Sequence, residues 1–353
     1  MRKGGVERKV KRKKTIQMFA VMAALFSMIG LSACGQSGHN VALFQYKSGD
    51  TFISEMMEHI IAQMPDGITF EVHDAGNSQS VQNRQIVEMI EREVDILIVN
   101  AVDRLACSAI VARSAQAEIP VIFFNREPLD DAIVGRQNVF YVGTDPDNLG
   151  RKQAEMVADL FTAYFAGSHF DRNDDGIIQV VILKGEQGHQ DAERRTETSI
   201  ARLIELGFEV EVLAIEVADW NRSDGYEAMR SLFERYGDRI ELVFSNNDDM
   251  ALGAIDFLLN ARIFRENRSV YEQPFVIVGV DGTAVGLEAI ERGLLYGTVN
   301  NDSVKQSDAI LMLIDFILNN KDFNHFPYTI TRGHFIYIDG DIITKANLAD
   351  FMQ

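Results

Sequence analysis

Between residues 41 and 318, short apolar runs rich in Val, Ile and Phe alternate with longer stretches whose apolar residues recur every three or four positions. A short continuous apolar run reads as a strand, and a period near 3.6 as a helix. Strands are therefore expected at 41–46, 68–72, 94–100 and 120–125, with helices at 52–64, 78–92 and 106–117 between them. A second series follows Thr144: helix 147–165, strand 177–184, helix 191–206, strand 208–217, helix 221–236, strand 240–244 and helix 250–260. Strand 275–280, helix 284–292, strand 294–299, helix 302–318 and a short ending complete it. Such alternation demands parallel strands joined by right-handed helical crossovers. The chain is thus expected to be α/β, with two Rossmann-like, doubly wound lobes of roughly 150 residues each. In open parallel sheets, ligands sit outside the carboxyl ends of the strands, so those ends are where chemistry is expected.

The strand ends are polar almost throughout. Asp50 and Phe52 follow the first strand and Asn125 the fourth, while His189, Asp191 and Arg195 lie past the Lys184-Gly185 turn. Trp220 follows the strand ending at Val217, Asn247 follows Phe244, Asp281 follows Val280 and Asn301 follows Val299. Carboxylates, amides and a guanidinium present donors and acceptors in fixed planar arrays, suited to a ligand with many hydroxyls. Phe52 and Trp220 add two flat apolar faces, matching the C–H faces of a pyranose. Plainer readings exist for each residue. Asp50, Asn247 and Asp302 suit helix N-caps, Trp220 could be core, His189 a satisfied loop residue, and Arg195 a partner for Asp191 at i,i+4. Ten such residues at the same end of successive strands are hard to explain by capping alone.

The run DRNDDGIIQ from Asp171 carries oxygen donors at alternate positions. Asp171, Asn173 and Asp175 precede Gly176, the spacing with which a calcium loop opens. The twelfth residue is Ile182, inside an apolar strand, where an EF-hand would place a bidentate Glu. A cation there needs a carboxylate from elsewhere, and Glu241, at the head of another apolar strand, is the candidate. Gln179 and the Ile177 carbonyl would complete the shell. An acidic surface turn is the alternative.

Residues 1–33 combine eight basic residues with an apolar stretch, 18–31, too short and wrongly flanked for a comfortable membrane span; this reads as an export signal. It ends in Leu31-Ser32-Ala33-Cys34, which looks like a lipoprotein lipobox with Cys34 as the lipidated first residue. Residues 34–40 would then tether the protein to the outer face of the cell membrane. Without 1–33, 26 Lys+Arg face 51 Asp+Glu, a net charge of −25. That balance argues against nucleic acid as a partner. Cys107 is then the sole thiol, expected to be a small buried core residue.

Several stretches carry a family likeness: Tyr46-Lys47 with Asp50 and Phe52, VIFFNREP at 121–128, YVGTD at 141–145, DRNDDGIIQ, and LKGEQGHQDAERRT at 183–196. IELVFSNNDDMALGA at 240–254, VGVD at 278–281 and GTVNND at 297–302 extend it. In these the chain resembles, over essentially its whole length after the export signal, the bacterial galactose/glucose-binding proteins, receptors of methyl-galactoside ABC transporters. It departs at Gly49, where relatives often have an acid, at Gln190, where they have Pro, and at Ile177, where a polar residue is common.

The resemblance implies a periplasmic binding protein of type I, with two lobes joined by three hinge strands. The N-terminal lobe would hold 41–144 and 301–337, and the C-terminal lobe 145–300 and 338–353. It implies that Asp50, Asn125, His189, Asp191, Arg195, Asn247, Asp281 and Asn301 hydrogen-bond a sugar sandwiched by Phe52 and Trp220. It also implies that Asp50 accepts from the 4-hydroxyl of either epimer, and that Asp171, Asn173, Asp175, Ile177, Gln179 and Glu241 hold a structural Ca2+. The expected protein is a monomeric, non-enzymatic receptor that delivers D-galactose, D-glucose or β-methylgalactoside to an ABC permease, and also to a chemoreceptor. The rivals are a sugar sensor without a transport role and a sugar-modifying enzyme using Asp50, His189 and Asp191.

Overall fold

The computed structural model describes residues 38–164 and 168–352. The export segment, Cys34 and most of the tether lie outside the described residues.

Twelve strands are described: β1 (His39–Gln45), β2 (Ile68–Asp74), β3 (Ile96–Val99), β4 (Val121–Phe124), β5 (Val139–Gly143), β6 (Ile177–Lys184), β7 (Glu209–Val217), β8 (Leu242–Ser245), β9 (Val276–Asp281), β10 (Gly297–Asn300), β11 (Phe335–Tyr337) and β12 (Asp341–Thr344). They form two six-stranded sheets, in the orders β11-β5-β4-β3-β1-β2 and β12-β10-β9-β8-β6-β7. Every ladder is parallel except that of β12, which pairs antiparallel with β10. The expectation of two doubly wound lobes therefore stands, with one antiparallel edge strand in the second.

The pleat explains the two-sided cores. Val41 and Leu43 of β1 join Ile122 and Phe124 of β4 on one face, while Ala42 and Phe44 join Val121 and Phe123 on the other. Strands covered by helices on both faces are apolar at every position, and β3 and β4 are buried throughout. The edge strands β2 and β7 pair on one side alone, and their residues are half to fully exposed.

Several strands begin two or three residues later than expected, β3 at Ile96, β8 at Leu242 and β10 at Gly297, because apolar runs continue into the flanking turns. The sequence reading also passed over β5, β11 and β12. Glu241 lies just ahead of β8 rather than inside a strand beginning at 240.

The chain passes between lobes three times, at 144–145, 301–302 and 338–340. These crossings are short irregular segments rather than hinge strands. They are tied to one another: the Thr144 hydroxyl donates to Asn301 Oδ1 at 2.7 Å, and Ile338 N–H donates to the Gly143 carbonyl at 2.8 Å. Placing β11 in the first sheet and β12 in the second is what sends the chain across the last time.

Candidate binding site

Between the carboxyl ends of the two sheets lies a pocket walled by residues of both lobes. All ten residues singled out at the strand ends line it: Asp50, Phe52, Asn125, His189, Asp191, Arg195, Trp220, Asn247, Asp281 and Asn301. Tyr46, Ile53 and Arg126 line it as well.

Capping and lining turn out to be the same job. Helices that follow the strands point their N-termini into the cleft, so their caps are the pocket wall. Asp50 caps the helix Thr51–Ala62 by accepting Ile53 N–H on Oδ1 at 3.0 Å, and its Oδ2 accepts the Tyr46 hydroxyl at 2.6 Å. Both carboxylate oxygens are thereby oriented before any ligand arrives. Burial and the Asp50 carboxylate push the Tyr46 phenol up, so it remains the donor. The Arg126 guanidinium lies over the Tyr46 ring, 4.2 Å from its centroid. Tyr46 and Arg126 were missed although Tyr46 ends the strand expected at 41–46 and Arg126 follows the one expected at 120–125, because an aromatic at a strand end reads as core and an arginine beside Asn125 as a solvated charge. The signal was present in the Tyr46-Lys47 and NREP motifs, of which Asn125 alone was singled out.

His189 caps the helix Gln190–Glu205, its Nδ1 accepting Asp191 N–H at 3.2 Å, which places the ring proton on Nε2. Burial, reinforced by Arg126, Arg195 and Arg104, holds the imidazole far below its ordinary range, so His189 is neutral. The buried Arg195 guanidinium pairs with Asp191 at 3.0 Å, approaches Asp281 at 3.9 Å and donates to the Asn246 carbonyl at 2.8 Å. Its Nε is buried without a partner. Burial raises the Asp191 and Asp281 carboxyls, and Arg195 opposes that rise in both.

Trp220 adopts a left-handed backbone, φ +65°, immediately after Asp219 at +45°. That turn brings the indole against Gly185, where a Cβ would stand 2.3 Å from the ring, so residue 185 must be glycine. The His189 ring meets Trp220 edge-on at 5.1 Å, and Arg195 lies 5.9 Å from the indole centroid. Asn247 caps the helix Asp248–Asn260 through Oδ1 and donates from Nδ2 to the Trp220 carbonyl at 3.2 Å. Asn301 Nδ2 donates to Asp281 Oδ1 at 3.2 Å.

The lobes touch across the cleft. Arg126 pairs with Glu186 at 2.9 Å, the Thr51 hydroxyl donates to Asp249 at 2.7 Å, and Ala284 N–H donates to Glu55 at 3.1 Å. The two halves are closed over the chamber.

The Asp171 loop and Glu241 come together at the opposite end of β6. Asp171 accepts the Asp175 and Gly176 N–H groups, and Asp175 accepts Ile177 N–H at 2.8 Å and the Gln179 and Asn173 amides. Glu241 is fully buried and accepts Arg172 N–H at 2.7 Å and Gln179 N–H at 3.0 Å. Burial, with Asp171 and Asp175 nearby, pushes its carboxyl up to about 7. The Gln179 Oε1 atom is buried without a partner. Among the described residues, no group of three or more His, Cys, Asp or Glu side chains has a metal site's arrangement. The set here is mixed, adding amide and carbonyl oxygens to carboxylates, and such an all-oxygen set, with the unpartnered Gln179 Oε1 within it, fits a hard cation.

Cys107 is buried, and burial pushes its thiol up to about 12, as befits an inert core residue.

Residues 41–322 match the model of the periplasmic binding protein domain. The D-galactose/methyl-galactoside binding periplasmic protein MglB of Haemophilus influenzae is 33% identical, over 97% of this chain and 100% of its own length. A putative rhizopine-binding protein of Rhizobium meliloti is 28% identical, over 95% and 99%. Among solved structures, an ABC transporter solute binding protein from Bacillus halodurans with bound myo-inositol aligns with a TM-score of 0.73 at 27% identity, covering 90% of this chain and 99% of that one. With the fold, the cleft and the near full-length likeness in agreement, the chain belongs to the periplasmic binding protein family and is a binding protein rather than an enzyme.

Proposed function

We propose that this chain captures a pyranose, D-galactose or D-glucose and their β-methyl glycosides, between its lobes and presents it to an ABC importer. The observation that carries the reading is the convergence of ten side chains from both lobes on one chamber. The 33% identity to a galactose and methyl-galactoside binder supports the choice of sugar. Each lobe supplies part of the shell, so only a ligand that touches both stabilises closure, and its differential affinity sets the population shift. A sugar lacking one matched hydroxyl leaves a buried acid or amide unpaired, at a cost of about 1–3 kcal/mol.

Calorimetric titration with D-galactose, D-glucose, D-ribose and myo-inositol tests this. Saturable one-to-one binding of the first two, stronger than of the others, is expected. Preferential binding of the cyclitol or the pentose would overturn the sugar assignment.

The reading includes a structural Ca2+ held by Asp171, Asn173, Asp175, the Ile177 carbonyl, Gln179 and Glu241. A divalent cation there would offset two of the three carboxylate charges and tie the loop to the head of β8. Chelation is expected to lower the melting temperature, because an ion bound only by the folded state stabilises it. An unchanged melting curve after chelation would remove the ion and leave the sugar site standing.

Anchoring through Cys34 on the outer membrane face, monomeric behaviour and hand-over to a chemoreceptor complete the proposal. The net charge of −18 for the whole chain supports solubility and disfavours anionic polymers. Labelling with a radioactive fatty acid, lost in Cys34→Ser, tests the anchor.

A further inference from the structure

Asp248 is fully buried and takes no part in lining the chamber. Its carboxylate is nonetheless the point where three chamber segments meet. Oδ1 accepts the Thr298 hydroxyl at 2.6 Å, while Oδ2 accepts the Thr283 N–H at 2.9 Å and the Thr283 hydroxyl at 3.1 Å. Thr298 belongs to β10, three residues ahead of Asn301; Thr283 comes two residues after Asp281; and Asn247 is Asp248's own neighbour. Glycine makes the slot that admits the carboxylate. A Cβ on Gly279 would stand 2.2 Å from Oδ1, and one on Gly286 2.4 Å from Oδ2.

The backbone at Asp281 shows what this anchoring is for. Asp281 has φ +125°, a region that residues with a side chain rarely adopt, and Gly282 follows at +73°. Such a conformation persists only where the surroundings over-determine it. Ahead of Asp281, the β9 ladder fixes the chain; beside it, Asn301 N–H donates to the Asp281 carbonyl at 2.9 Å. Beyond it, the fixed point is Thr283 on Asp248. A carboxyl group suits that position because three donors converge on its two oxygens; burial pushes it up to about 7, and the hydrogen bonds from Thr298 and Thr283 oppose that rise.

We infer that Asp248 is a positioning residue for ligand binding, which never touches the ligand but holds Asp281 in its strained orientation and Asn301 beside it. This deepens the reading of the chamber as the binding site and rests on it.

The test is titration of the full chain with D-galactose and D-glucose. Asp248→Asn replaces one acceptor with an NH2 facing donors, and affinity is expected to fall roughly 30-fold, the scale of leaving buried donors unsatisfied. In an Asp281→Asn background the same change should cost no more than about 3-fold, because groups in one network are not additive. Thr298→Val, which deletes one donor, should weaken binding, and Thr298→Ser should restore it; this pair carries the test if Asp248→Asn fails to fold. Wild-type affinity in Asp248→Asn or Thr298→Val would overturn the inference, as would an undiminished loss in the Asp281→Asn background, which marks a general loosening of the lobe. Wild-type binding by Asp281→Asn alone would instead strike the reading of the chamber.

Discussion

Arg195→Ala is expected to cost about 3–5 kcal/mol of stability in the C-terminal lobe, the scale at which removing one member of a buried ion network strands its partners. The side chain is 3% exposed and stands between Asp191 at 3.0 Å and Asp281 at 3.9 Å. Both carboxyls already sit high because burial disfavours their charge, and Arg195 is what opposes that rise. Without it, burial acts less opposed on both acids, with Asp248 and Asp50 raising Asp281 further and Asp145 raising Asp191, so at neutral pH one or both must take up a proton or open the lobe to water. Protonation would turn acceptors aimed at the ligand into donors, so sugar binding should vanish along with the stability. Urea unfolding of the C-terminal lobe and titration with galactose read the two effects separately. A variant as stable as the wild type would mean that Arg195 is neutralised by something other than these two acids. Arg195→Lys is expected to recover part of the stability and little of the binding, because an ammonium cannot reproduce the planar fork that reaches Asp191 and the Asn246 carbonyl at once.

Trp220→Ala is expected to weaken hexose binding by at least 100-fold, about 2.7 kcal/mol at 1.36 kcal/mol per decade. The indole is almost fully buried, packed on Gly185 and edge-on to His189, and its removal leaves a hole where an apolar face stood. Aromatic faces of this size dominate interface energetics through the apolar area they bury. Trp220→Phe should stay within about tenfold, keeping a flat face while losing area. The chain has one tryptophan, so its emission reports the chamber directly and should change on titration with sugar. Full affinity in Trp220→Ala would mean that the ligand sits away from the indole, and the pyranose assignment would lose its main apolar contact.

The closed arrangement gives these effects their size. Arg126–Glu186, Thr51–Asp249 and Glu55–Ala284 bridge the lobes, the first of them from the chamber wall itself. Much of the ligand shell is buried, with Arg195, Asn247, Asp281 and Asn301 each no more than 7% exposed, so a lost contact there is not readily replaced by a hydrogen bond to solvent. In a closed chamber an unpaired acid or amide carries its desolvation penalty in full.

Local pattern was enough to determine the alternation of strand and helix, the parallel sheets it requires, and therefore the end of each strand at which polar residues gather. Those features depend on neighbours a few residues apart, and periodicity records such spacing directly. The same holds for the turn from Asp171 to Gly176, whose donors alternate along the chain. The tertiary structure alone decided the rest. Three-residue β11 and four-residue β12 carry no readable period, yet their opposite assignments make the third crossing between lobes. The Arg126 side chain could have served any surface; it becomes part of the chamber because Tyr46 lies beneath it and Glu186 comes from the other lobe. Asp248 reads as one more acid at a helix start, and only the arrival of Thr283 and Thr298 makes it an anchor. These partners stand 35 and 50 residues away in sequence, a separation that no local periodicity encodes. Their meeting is fixed by how the sheets stack their strands, so it becomes visible once the chain has folded.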